Sequence, residues 1–511
     1  MRTSVRSLVL LGLFLGLLLS GPSPASAFAP ASAQLVAGPN VKVIRDNDNA
    51  PCPDRPTPEF DCANFMQNEP PLAADPTNPD VLISGGNDFR LIPLDPRVQG
   101  TWLGYYRSED GGRTWTNTFL PGFPGDDSPE GQASPLRGNF FAGDPVVAFD
   151  SQGNAYVGGI SWGSRESAVF LAKYTDHGKT YSHIALVNTV PDEQGQFIDK
   201  PCLTVDNTGG LHDGTIYVGW SRFAEIVVVA HSTDGGQTFS QPVIASGTRA
   251  PTRTCALAVG PDGTLYVVWR QFAFGTSRDA LIFNASSDGG RTFGFARTLQ
   301  IITPYDQERN RPDTFRATSF PSVAADENGV YVVWEDARFQ GSSRVLLICS
   351  PDGGQTWTEP VKVSEPGRGH QIMPQVAADG TRVGVAFYDS RHDPDFDPRR
   401  NIGDALDVYY VEFPSGCPLS GPGVEVRVTD RSFNPNLRIF DTPSGAQPFI
   451  GDYIGLAFAG ERVHVVWTDN RDVSPQPPTN PPCNPRDLRT LTQGCRNQNI
   501  YTAAITREPE P

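Results

Sequence analysis

Beyond its first residues, nothing in this chain is apolar enough to span a bilayer. Its seven histidines stand singly, without the paired spacing that a zinc site needs. No Gly-x-Ser-x-Gly elbow and no Gly-rich phosphate loop occurs, which sets aside two common catalytic motifs. Positive charge is scarce: 41 Lys and Arg face 57 Asp and Glu, a formal net charge of −16. A surface that tracks phosphates needs the opposite balance, which argues against nucleic acid as a partner. The acidity reads as a solubility device.

What is present begins at the N-terminus. Arg2 and Arg6 precede an apolar run from Leu8 to Leu19, and Ala25-Ser26-Ala27 follows. A basic start, a short apolar segment and a small-x-small site read as a secretory signal peptide over residues 1–27. The run is shorter than the roughly 20 residues a membrane helix needs. The expected location is therefore outside the cytoplasm, extracellular or periplasmic, with no transmembrane segment in the mature chain. Eight cysteines fit an oxidising compartment. Cys52 and Cys62 bracket a Pro-rich loop in an N-terminal extension (28–69), and Cys483 and Cys495 bracket another, so each pair is a candidate local disulfide. Cys349 and Cys417 have no evident partner.

One phrase recurs: "SEDGGRTW" around Asp110, "YTDHGKTY" around Asp176, "STDGGQTF" around Asp234, "SSDGGRTF" around Asp288 and "SPDGGQTW" around Asp352. Each follows an apolar alternating run, which predicts a hairpin. Ser and Asp hydrogen-bond their own turn backbone, and the Gly at the fifth place takes positive φ without penalty. A second phrase precedes each copy, such as "FPSVAADENGVYVVWEDAR", again two strands about a turn. The unit is thus four strands. A lone four-stranded sheet cannot bury both faces, so units must stack, and a radial stack is a β-propeller. Units lacking the aspartate phrase begin near Met373 and Asp452, and a unit beginning near Pro70 completes the set. The expected fold is all-β: a propeller of four-stranded blades over residues 70–506, with a short tail at 507–511. Seven blades is the count, with six as the alternative, and Val41 to Arg45 is a candidate ring-closing strand. Cys202 and Cys255 hold the same position in consecutive units, which makes them a candidate disulfide between neighbouring inner strands.

Ser-x-Asp-x-Gly-x-Thr-Trp resembles the Asp box, or bacterial neuraminidase repeat. The chain is similar to secreted members of the sialidase-like Asp-box propeller superfamily over roughly residues 70 to 505. The resemblance implies that Asp110, Asp176, Asp234, Asp288 and Asp352 are structural and lie on the face away from the active site. It implies a recipe of three arginines on a substrate carboxylate, a Tyr nucleophile paired with a Glu, and an Asp acid/base. Arg90, in "FRLIP", matches the first arginine, with one extra Leu in the motif.

The ends of the second strands are the place to look for the rest. They carry "WEDAR" (Glu335, Asp336, Arg338), "YDSR" (Tyr388, Asp389, Arg391), "WTDNR" (Asp469, Arg471), "WSR" (Arg222) and "WR" (Arg270). The starts of the first strands add Asp144, Asp199, Lys200, Arg253, Asp452 and Tyr453. Two readings stand side by side: arginines converging on a carboxylate, or Asp-x-Arg ion pairs bracing blade edges. Nucleophile candidates are Tyr388 and Tyr453, partner candidates Glu335 and Glu225, and acid candidates Asp126, Asp127 and Asp144. Asp393, Asp395, Asp397 and Asp404 are spaced as in a Ca²⁺ loop, with Pro398 where the turn needs Gly. No other cofactor is expected. The expected function is that of an exo-acting glycoside hydrolase on acidic, sialic-acid-like glycans or, alternatively, of a non-catalytic glycan- or protein-binding propeller at the cell surface. The partner is a glycan or a glycoprotein.

Overall fold

β-branched and aromatic residues alternate through the repeat units, and each unit folds as an antiparallel sheet with both faces covered by its neighbours. A computed structural model describes residues 33–46, 48, 57–61, 63–92, 100–163, 166–191, 198–222, 224–247, 250–307, 314–442, 445–474 and 494–509. The leader 1–27, Cys52, Cys62 and Cys483 lie outside them.

The fold is a seven-bladed propeller of four-stranded sheets. Blade 1 runs Leu72–Asp75, Asn78–Asp88, Trp102–Ser108 and Thr116–Phe119, from axis to rim. Blades 2 to 4 start at Phe141–Phe149, Ile198–Val205 and Ala256–Val259; blades 5 to 7 start at Ser322–Asp326, Gln371–Ala378 and Gly455–Ala459. Closure of the ring falls mainly to Ala33–Ala37, which pairs with Asn499–Pro509 in blade 7. Val41–Lys42 adds only two paired residues. Pro39, which has no N–H to donate, stands between the two segments. Among the described residues no helix is long and apolar enough to cross a membrane.

The core lies between blades. Trp220, Trp334 and Trp467 occupy the same place in the second strands of blades 3, 5 and 7, each fully buried. A buried aromatic of this size typically costs about 3–5 kcal/mol to truncate to Ala.

Four of the repeated turns share one network. Around Asp288, Ser286 Oγ donates to Oδ1 at 2.7 Å, the N–H groups of Arg291 and Thr292 donate to Oδ1, and Thr292 Oγ1 donates to Oδ2. The same set surrounds Asp110, Asp234 and Asp352. What burial there is opposes ionisation of Asp288. The Thr hydroxyl, the two N–H groups and the Ser hydroxyl outweigh it and hold the carboxyl at about 2. The Asp176 copy is different: Tyr174 replaces the Ser, and Asp176 and His177 themselves take positive φ. Its His177 reaches across to Asp75 of blade 1 at 2.7 Å. All five turns lie at the end of the blades where first strands turn into second strands.

Cys202 and Cys255 form a disulfide between the inner strands of blades 3 and 4. Cys349 and Cys417, which sequence left without partners, also bond to each other and tie blade 5 to blade 6. Cys495 is disulfide-bonded as well. The Cys349–Cys417 loop spans 68 residues. Replacing both cysteines by Ala is expected to lower the unfolding free energy by roughly 2–5 kcal/mol. Urea denaturation of the double variant checks this, and an unchanged midpoint would show that the bridge adds nothing.

Candidate active site

First strands begin and second strands end on the face opposite the repeated turns. There the blades enclose an axial cavity of ≈ 1290 Å³. Lys200, Phe320 and Asp452 line both this cavity and a narrower channel of ≈ 210 Å³. Pro71, Pro145, Pro201, Pro321 and Pro374, each within an inner strand or directly before it, ring that channel.

Proline also marks the site's unusual backbone. Glu69, Asp144 and Lys200 precede Pro70, Pro145 and Pro201 and hold φ of 56°, 54° and 45°. Such a conformation at a non-glycine residue costs of order 1–3 kcal/mol and persists only where the surroundings over-determine it. The residue before proline is normally extended, which adds to the strain. The register of the inner strands slips between Gly143 and Val146 and between Asp199 and Cys202. A bulge of this kind re-aims a side chain, and here Asp144 and Lys200 face the axis.

Lys200 is the centre of the cluster. Its Nζ lies 2.6 Å from Asp452 Oδ2 and 3.5 Å from Glu69 Oε1, and its backbone N–H donates to Asp144 Oδ2 at 3.2 Å. Arg316 forks onto Asp452, Nε to Oδ1 at 2.9 Å and Nη2 to Oδ2. Asn87 donates to Glu69 Oε2 at 2.7 Å, and its Oδ1 accepts the Asp144 N–H at 2.9 Å. Asp199 shares a side-chain hydrogen bond with Asp144.

Four carboxyls thus meet two cations in a buried place, where unpaired charge is costly. Protons make up the difference. Burial pushes Glu69 up to about 8; Lys200 opposes, and Asp144 and Asp452 reinforce. Burial likewise pushes Asp199 up to about 7 against the pull of Lys200. Burial also works against ionised Asp452, but Lys200 and Arg316 outweigh it and hold that carboxyl below the usual range. Lys200 stays charged because Asp452, Glu69, Asp144 and Asp199 overcome its desolvation.

Among the sequence candidates, Asp144, Asp199, Lys200, Arg253 and Asp452 line the cavity. The Asp-x-Arg residues do not, and the edge-bracing reading is the one the geometry supports. Arg338 folds back onto Asp336 at 2.6 Å and donates to Ile301 O of blade 4. Arg391 pairs with Asp389 at 2.8 Å and with Glu425 at 2.5 Å. Arg471 pairs with Asp469 and with Asp430, both at 2.7 Å. In each case the Arg N–H also donates to the Asp two residues before it, which closes a tight turn and carries the guanidinium outward. Arg90 is fully buried in blade 1 and bonds Asp88 at 2.5 Å. The three-arginine arrangement is therefore not assembled from these residues.

The tyrosine and glutamate candidates are displaced too. Tyr388 is fully buried in the core of blades 6 and 7, where its oxygen accepts the Thr468 N–H at 3.0 Å. Burial raises its phenol far above the ordinary value. Tyr453 lines the narrower channel and donates to Pro145 O at 3.0 Å. Glu335 is fully buried off the cavity, and burial pushes its carboxyl well up. Glu225 lines a separate small pocket, and Asp126 caps a surface turn by accepting from Gly122 and Ser128. The calcium candidates do not converge: Asp393 accepts from Asp395 N and Gly403 N in its own loop, and Asp397 pairs with Arg400. Among the described residues no group of three or more His, Cys, Asp or Glu is placed to hold a metal ion.

Sequence reasoning missed Glu69, Asn87, Asp306 and Arg316, all of which line the cavity. Glu69 carries a signal in hindsight: "EPP" repeats the acidic-or-basic residue before proline seen in "DP" and "KP". Arg316 lies on a connection between blades 4 and 5, where no repeat marks it.

No protein-family model matches the chain. It is 25% identical over 344 residues to a probable oligoxyloglucan-reducing end-specific xyloglucanase of Neosartorya fischeri. That alignment covers 60% of this chain and 38% of the relative. Similar solved structures include a protein of unknown function from Dyadobacter fermentans (13% identity, TM-score 0.43, 93% of this chain and 99% of that one). An α-L-arabinanase of Penicillium chrysogenum is 16% identical, with TM-score 0.44 over 69% of this chain and 94% of that one. The Hadza microbial sialidase Hz136 is 19% identical, with TM-score 0.39 over 64% of each chain. Values this low say nothing of activity, and the seven-bladed architecture rests on the strand pairing itself.

The buried protons fix a pH dependence. Glu69 and Asp199 bind protons more tightly folded than unfolded, so their contribution is fully present below the ordinary carboxyl range. It is lost as pH rises through about 7 and 8. Stability is expected to fall over that window by up to about 1.4 kcal/mol per pH unit for each proton. Urea midpoints measured from pH 5 to 9 should fall less steeply in Glu69→Gln; parallel curves for the two proteins would refute the assignment.

Proposed function

We propose that this propeller is a glycoside hydrolase that cleaves a glycan in the axial cavity. Glu69 is the acid and Asp452 the charged carboxylate beside it. The observation that carries this reading is the pair itself. Two carboxyls touch one ammonium, and their surroundings push their protonation in opposite directions. Glycoside hydrolysis needs one carboxyl that still holds a proton near neutrality and one that does not.

The roles follow from the charges. Glu69, raised to about 8, gives its proton to the leaving glycosidic oxygen. Asp452, held ionised by Lys200 and Arg316, is a weak base and is suited to stabilising, or attacking, the developing oxocarbenium carbon. Water then bonds the anomeric carbon, breaking the bond to Asp452 where one has formed, and gives its proton to the ionised Glu69, which restores the starting state. A relative named as a probable xyloglucanase supports a glycan as the substrate.

Sialic-acid specificity is the weaker part of this proposal. Lys200 and Arg316 are committed to Asp452. Arg253 is the exposed cation at the cavity with no ion pair among the described residues. A carboxylated sugar would have this one guanidinium where the sialidase resemblance implies three arginines. Export through the leader, and the Asp-box character of the repeated turns, belong to the same proposal; the disulfides support export. One observation favours the non-catalytic reading: both oxygens of Asp452 are already engaged by cations.

A panel of chromogenic glycosides, α-sialosides included, tests the proposal. Turnover of at least one neutral glycoside is expected, with a basic limb near pH 8. Glu69→Gln and Asp452→Asn should each lose about 10²–10⁴-fold in kcat. No turnover anywhere, together with retained binding on a glycan array, would establish the binding propeller instead.

A further inference from the structure

The charged cluster occupies one part of the cavity wall. At ≈ 1290 Å³ the cavity exceeds the range of about 300–1,000 Å³ usual for a single small ligand. Another part of the wall is aromatic and equally built. Phe141 and Trp162 face each other across the first two strands of blade 2. Their rings stack at 5.3 Å with an interplanar angle of 15°, and both are partly exposed and line the cavity.

The surroundings hold this pair in place. Phe140 N donates to Trp162 O at 3.1 Å. Gly100 and Gly163 leave room for the Phe141 ring, because a Cβ at either would stand 2.6 or 2.8 Å from it. The chain has eight tryptophans. Six are at most 5% exposed, and Trp357 belongs to a repeated turn on the opposite face, where it bonds Gly354 O. Trp162 alone lines the cavity. An aromatic face is electron-rich, and the C–H face of a sugar ring is its natural complement, while the ring's hydroxyls stay free for water and polar side chains.

We infer that the Phe141–Trp162 pair is a sugar subsite outside the bond-cleaving centre, so that the substrate is an oligosaccharide. This rests on the proposal that a glycan occupies the cavity. Two readouts separate the two claims. The first is tryptophan emission in the Glu69→Gln protein, titrated with xyloglucan oligosaccharides and with arabinobiose. A change with at least one of them is expected, absent when Trp162→Phe is added. If neither sugar changes the emission, or the change survives Trp162→Phe, the subsite falls. An equal or larger change with phenol in place of sugar would also overturn it, since the pair would then be a general aromatic site.

The second readout is the ratio of kcat/KM for the oligosaccharide to that for the matching aryl monoglycoside. Trp162→Ala, and Phe141→Leu as the milder variant, should lower this ratio about ten-fold or more. An unchanged ratio overturns the subsite while leaving cleavage intact. An emission change without turnover of any glycoside keeps the subsite and removes the hydrolase.

Discussion

A buried ammonium needs negative partners, and the functional face of this propeller is arranged around that need at Lys200. Asp452, Glu69 and Asp144 come from blades 7, 1 and 2, and Arg316 comes from the connection before blade 5. No single blade contains the cluster, so its geometry depends on the ring being closed with the right number of blades. The charges in turn constrain the protons. Four carboxyls against two cations leave a surplus that burial does not tolerate, and Glu69 and Asp199 keep protons into the neutral range. Acid and counter-charge thus arise together from one imbalance.

The scaffold was readable in the sequence because it repeats. Asp110, Asp234, Asp288 and Asp352 sit in turns whose hydrogen bonds are local, so eight residues suffice to specify each. Equivalent positions in successive units located the Cys202–Cys255 bridge in the same way. At the ends of the second strands, too, what repeats is a brace rather than chemistry. Arg338, Arg391 and Arg471 brace the edges of blades 5, 6 and 7 in the same way, with a guanidinium folded back on an aspartate two residues earlier. The site follows a different rule. At comparable places, just before or within the inner strands, it presents Glu69, Asp144, Lys200 and Asp452, so the charge changes sign and the side chain changes length between blades. Such variation looks like noise in a repeat. Arg316 was invisible for a further reason: its partner Asp452 is 136 residues away, and only the closed ring brings them together.

Strain explains why the scaffold is stiff where the cluster sits. Glu69, Asp144, Lys200 and, in blade 6, Met373 hold left-handed backbone, each before a proline, and would relax in a flexible loop. Here each lies within a first strand or just before it, and the proline that follows each fixes φ at the next position. The Cys202–Cys255 bridge lies two residues beyond Lys200 and two beyond Arg253, joining the two inner strands that present these cations. The backbone that carries Lys200 cannot shift away from Asp452 without moving a strand cross-linked to its neighbour. That stiffness bears on chemistry as well as stability. A site whose charges are fixed before a substrate arrives spends nothing on arranging them during reaction, which is the condition under which fixed charges best stabilise a transition state. The left-handed residues, the prolines and the disulfide therefore serve one end: they hold opposite charges close together at the axis of the ring, where the proposed hydrolysis would develop charge on its substrate.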